Sequence, residues 1–167
     1  MKLPEDDLLS AFDRVANSNS HLLKAPPGAG DLRQRFCDFV ASRAFTRSLC
    51  ESDRVRNWHN YQWIPPEADF YAGAGIEFAR TPDFGAMLCE LLKRGPCFYG
   101  KRYPPVEVQQ IVTGFLEVFR PDEGEVLSVG PDFLNGGLTF FDGCGCDHCW
   151  TWLSGGDLWV LLLNGSP

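Results

Sequence analysis

Apolar residues recur at helical spacing through the first two thirds of the chain and at extended spacing in the last third. Leu8, Leu9, Phe12, Val15 and Ala16 predict an amphipathic helix over Pro4 to Val15. Glu5, Asp6 and Asp7 at its start suit the positive end of a helix dipole. Asn17-Ser-Asn-Ser and Ala25-Pro-Pro-Gly-Ala-Gly read as loop. Asp31 is placed to N-cap a second helix, with Leu32, Phe36, Phe39, Val40 and Ala44 as its buried stripe. Glu51 to Arg80 has no clear period and predicts irregular structure with one or two short strands. Thr81-Pro82-Asp83 opens a helix with proline near N1, and Phe84, Met87, Leu88, Leu91 and Leu92 form its core face until Gly95-Pro96 stops it. Cys97-Phe98-Tyr99 reads as a short strand or extended link. Pro104-Pro105 opens the clearest helix, lined by Val108, Ile111, Val112, Phe115, Leu116 and Phe119 and ended by Pro121.

Beyond Pro121 the period becomes extended. Strands are predicted over Glu125 to Val129, Leu138 to Phe141, Cys149 to Leu153 and Leu158 to Leu163. Ser154-Gly155-Gly156-Asp157 reads as a four-residue hairpin loop. Helices followed by strands predict an α+β fold: a mostly helical N-terminal two thirds packed on a C-terminal antiparallel β meander. Residues 1–167 suit one domain.

Composition is ordinary for a globular protein, with 44% hydrophobic and 22% charged residues. No apolar run approaches the roughly 20 residues of a membrane span. The N-terminus, Met-Lys-Leu-Pro-Glu-Asp-Asp, has no apolar signal core. A cytoplasmic protein with free thiols is therefore expected, despite 7 cysteines.

Charge changes the picture more. All 15 Lys and Arg lie before residue 121. The last third holds only acids: Asp122, Glu123, Glu125, Asp132, Asp142, Asp147 and Asp157, which account for the whole net charge of −7. An unopposed negative field argues against nucleic acid or an anionic membrane as partner, and favours a cation or a basic protein surface.

Three features could carry chemistry. Asp142-Gly-Cys-Gly-Cys-Asp-His-Cys149 brings Cys144, Cys146, His148 and Cys149 close in sequence, and thiolate and imidazole are the ligands zinc prefers. Adjacent His148 and Cys149 face opposite sides of a strand, however, so a loop that shapes a hairpin is the leading reading, with no cofactor. A zinc-binding module is the alternative. Asn57-Trp-His-Asn-Tyr-Gln-Trp63 offers His59 as a base for a hydrolase, but no phosphate loop, dinucleotide fingerprint, nucleophile elbow or zinc-protease motif accompanies it. The leading expectation is a non-enzyme. Trp150 and Trp152 share a strand face, and aromatic rings beside acids suit a protein interface if exposed. Core is the competing use.

Phe140-Phe141-Asp142-Gly143, the following Cys-Gly-Cys-Asp, and a strand, Gly-Gly turn and Leu158-Trp159-Val160-Leu161 resemble the C-terminal hairpins of SUKH-type immunity proteins. Leu3-Pro4-Glu5-Asp6 with Phe12 resembles their first-helix start. The resemblance implies a small, acidic, mostly bacterial α+β protein that neutralises a cognate toxin, often a nuclease. The expected partner surface is then Asp142, Asp147, Asp157, Trp150, Trp152, Asp122 and Glu123, set against a basic toxin site.

Overall fold

A computed structural model describes residues 5–16, 19–55, 76–95, 101–130 and 147–164. The expected strand over Leu138 to Phe141, the link Cys97-Phe98-Tyr99 and the aromatic segment 57–63 lie outside the described residues.

Helix α1 spans Glu5–Ala16 and buries Leu8, Phe12, Val15 and Ala16, the predicted stripe. Strand β1 follows at once, over Asn19–Lys24. A loop was expected through Ser20. The chain extends instead because both the backbone N–H and the hydroxyl of Ser20 donate to Asp13 of α1, which fixes the turn back along the helix.

Helix α2, Leu32–Val40, starts where its cap predicts: Asp31 accepts from the Gln34 backbone N–H at 2.9 Å. The break between α2 and α3 (Arg43–Val55) falls at Ala41-Ser42. Ser42 donates its hydroxyl and its N–H to the Phe39 carbonyl, ending one helix as the next begins. Ala44, expected on the second helix, thus belongs to α3, which also reaches further than the irregular reading of residues 51–80 allowed.

Strand β2 spans Phe78–Arg80, and helix α4 spans Phe84–Arg94. Proline does not sit at N1 of α4. Asp83 is the N-cap, in a left-handed conformation at φ 52° and without a side-chain cap bond, so Pro82 lies outside the helix. Helix α5, Pro105–Phe119, opens at the predicted proline pair, with Pro105 in its first turn. A single 3-10 turn, Pro121–Glu123, leads into β3, Val126–Val129. Strands β4, His148–Ser154, and β5, Asp157–Asn164, complete the described elements. Their hairpin is tighter than expected: Ser154 pairs with Asp157, so the loop is the two residues Gly155-Gly156.

The sheet order is β1-β5-β4-β3-β2, antiparallel throughout. The fold class is α+β. The C-terminal β3-β4-β5 run is extended on each side by a strand from the helical part of the chain.

Helices cover both faces of this sheet. Leu23, Leu127, Val129, Cys149, Leu158, Val160 and Leu162 pack with Phe36, Phe39, Phe45 and Leu49 of α2 and α3. The alternate positions Val126, Trp150, Trp152, Leu161 and Leu163 pack with α1, α4 and α5 through Phe12, Leu88 and Phe115. An antiparallel sheet commonly leaves one face to water. Here the continuous apolar run of β5 reflects burial on both sides. No helix among the described residues is long and apolar enough to cross a membrane.

Candidate functional site

The sheet has a charged end. The antiparallel register brings the start of β3, the β4–β5 turn and the ends of β1 and β2 to the same edge of the structure. Four of the predicted acids collect there, each with its own setting.

Lys24 at the end of β1 reaches Asp157 at 2.7 Å and lies 5.3 Å from the Trp159 ring centre. Arg80, at the end of β2, pairs with Glu125 at 2.8 Å. Arg120 pairs with Glu123 at 2.8 Å, and the other oxygen of Glu123 accepts from the Ser154 hydroxyl. Asp122 stands exposed in the 3-10 turn. The expected unopposed field is therefore corrected: three acids of the last third meet bases supplied by residues 24, 80 and 120. Such exposed pairs contribute about 0–1 kcal/mol each, so their main consequence is on the local field.

A cleft of about 590 Å³ opens at this end, between the β2–α4 joint and the α5–β3 joint. Its charged walls are Asp83, Asp122, Glu125 and Arg80, three acids against one base. The only two non-glycine residues with positive φ among the described residues, Asp83 at 52° and Arg120 at 44°, sit at these two joints. Side chains larger than glycine adopt that region at a cost. Both helix ends are thereby held in sharp turns that open the cleft. Sequence reading missed Asp83 and Arg80 because neither lies in the acidic last third, and only strand pairing carries Arg80 there.

The other predicted residues are not part of this assembly. Trp150 and Trp152, expected as interface anchors if exposed, are 4% and 0% exposed and pack in the core against Phe84. The indole N–H of Trp152 is already satisfied by the Phe119 carbonyl. With both sheet faces covered, these rings have no surface to offer. Asp147 is buried at the opposite end of β4, so it does not join Asp157 on one surface. Asp142 lies outside the described residues.

The alternative zinc set is split. His148 stacks on Trp150, ring centres 5.2 Å apart, on one sheet face, whereas Cys149 is buried on the other. Two neighbours on opposite faces cannot both ligate one ion, as strand geometry requires. Burial pushes the Cys149 thiol above its ordinary range. Burial lowers the His148 imidazole. Cys144, Cys146 and the hydrolase candidate His59 lie outside the described residues.

One buried histidine escaped the sequence reading. His21 of β1 is fully buried, with Nδ1 2.6 Å from the Ser52 hydroxyl of α3. Lone polar residues in a short strand give no signal of burial, and this pair joins the sheet to α3. Comparison of the chain with family models, curated proteins and solved structures found no match.

Proposed function

We propose that the chain is a non-catalytic binding protein of the immunity or antitoxin kind, which takes a basic surface of a toxin domain at the charged end of its sheet. The observation that supports this most is the cleft walled by Asp83, Asp122 and Glu125 against Arg80 alone. A lysine or arginine entering it meets more acids than bases on a concave surface, which concentrates the local negative field. In this reading Asp122 faces the partner, with Glu123 beside it. Trp150, Trp152 and Asp147 give their expected places up to Asp83 and Glu125. The place of action is the cytoplasm, where Cys37, Cys89 and Cys149 remain free thiols.

The test is the rate at which the chain associates with a toxin domain whose activity it neutralises. Replacing Asp83 and Asp122 by Asn is expected to slow association roughly 10-fold or more at low salt, with a smaller difference as salt rises. An unchanged rate at every salt concentration sinks this reading.

A further inference from the structure

Arg14 of α1 meets Glu107 near the start of α5 at 2.7 Å, and a Cβ at Gly114, further along α5, would stand 3.2 Å from Leu8. The two helices are therefore antiparallel. A groove of about 510 Å³ runs between them on the outer side of the fold. Leu8, Ala11, Ile111, Gly114 and Val118 give it an apolar lining. Val106 stands on its rim at 65% exposure, the one exposed large hydrophobic among the described residues. A surface helix ordinarily turns charge to the water. Here α5 carries two charges in 15 residues, Glu107 and Glu117, and the exposed positions between them are Gln109, Gln110 and Thr113. A centre poor in charge between charged ends is the composition of an interface.

The two ends of the groove are opposite in charge. Arg14, Lys101 and Arg102 gather at the start of α5 against Glu107 alone, with Arg14 and Lys101 at 5.0 and 5.2 Å from the Tyr103 ring centre. Glu117 and the exposed Glu5, Asp6 and Asp7 of α1 mark the other end. Arg120, the next base along the chain, is engaged by Glu123. A surface with one basic and one acidic end is complementary to itself when turned about a two-fold axis.

We propose that this groove is occupied by a second copy of the chain, docked α5 against α5 about a two-fold axis at Gln110. Val106 of each copy, four residues before the axis, then enters the other's groove beside Gly114, four residues after it, where no side chain fills the space. Gln110 faces its own copy, and an amide can both donate to and accept from its equal. Arg102 and Glu117 lie at nearly equal distances along the chain on opposite sides of the axis, so each meets its opposite charge in the other copy. A parallel copy would set acid against acid. The groove shares no lining residue with the acidic cleft, so the dimer does not depend on the toxin-binding reading.

Sedimentation equilibrium of the full chain over a range of concentrations tests this. A monomer–dimer equilibrium with its midpoint below about 100 μM is expected. Val106→Asp should weaken it roughly 10-fold or more, and because Val106 is exposed the circular dichroism spectrum should not change. Glu117→Arg and Arg102→Glu should each weaken the dimer, since each brings like charges together across the axis. The double variant restores opposite charges and should recover most of the affinity, which neither a folding defect nor a different docking face would produce. A chain that stays monomeric throughout overturns the proposal and leaves the groove to another protein. A dimer of full affinity in Val106→Asp, or a double variant no tighter than the single ones, overturns it as well.

Discussion

The indole N–H of Trp152 donates to the backbone carbonyl of Phe119 at 3.0 Å, joining the centre of the sheet to the last residue of α5. That carbonyl lies just before the left-handed Arg120, where α5 can no longer use it. Trp152 therefore does two things at once. It fills the layer between Phe84 and Phe115, and it ends the helix that leads to the acidic turn. Replacing it by Phe keeps much of the ring but strands the carbonyl, at a cost of about 1–3 kcal/mol. Trp152→Ala should cost about 3–5 kcal/mol. Denaturant unfolding measures both. A Trp152→Phe protein that unfolds like the parent would show that water replaces the bond.

The fate of Trp152 shows what could be read from the chain and what could not. Period and caps located α1, α2, α4, α5 and the three C-terminal strands that fall among the described residues, because each buries a stripe its own sequence displays. The same pattern placed Trp150 and Trp152 together on one face. It could not say that the face was covered, since that depends on α1, α4 and α5 meeting it from distant parts of the chain. Strand β1 hid behind Asn and Ser, whose turn preference is overridden by the Ser20–Asp13 bonds. Charge failed for the same reason: Lys24 and Asp157 are far apart in sequence and adjacent only after β1 pairs with β5.

Arg120 should tolerate glycine better than most exposed residues do. At φ 44° it occupies a conformation that glycine adopts freely. Arg120→Gly gives up one exposed pair with Glu123, worth about 0–1 kcal/mol. It relieves left-handed strain of about 1 kcal/mol. The net effect on stability is expected to lie within about 1 kcal/mol of zero, whereas Arg120→Val, with a branched Cβ, should destabilise clearly. Melting temperatures of the two variants check this. Equal losses would mean that the ion pair, and not the backbone, holds the turn.

The hairpin turn sets a second backbone requirement. Gly155 at φ 59° and Gly156 at φ 85° form a two-residue turn with both φ positive. Such turns accept Asn readily at the first position. Gly155→Asn should leave stability within about 0.5 kcal/mol of the parent. Gly156→Val should lose at least about 1 kcal/mol, because a branched residue cannot adopt φ 85° without strain and the Arg35–Gly156 bond depends on that geometry. Chemical denaturation distinguishes them. A Gly156→Val protein as stable as Gly155→Asn would show that the turn relaxes to another type.

His148 should make the fold acid-sensitive. Its imidazole is stacked on Trp150, and burial lowers its affinity for a proton below the ordinary value of 6.5. In the unfolded chain it protonates at that ordinary value. As pH falls below it, the unfolded state binds the proton first, so the equilibrium moves toward unfolding. Above the ordinary value both states are neutral and His148 adds no pH dependence. The penalty grows as pH falls from there and levels off once the folded imidazole also protonates. His148→Phe keeps a ring against Trp150 and removes the proton site, so its stability should decline less than that of the parent between neutral and mildly acidic pH. Thermal unfolding across that window is the measurement. Parallel curves for the two proteins would mean that His148 takes up its proton as readily folded as unfolded.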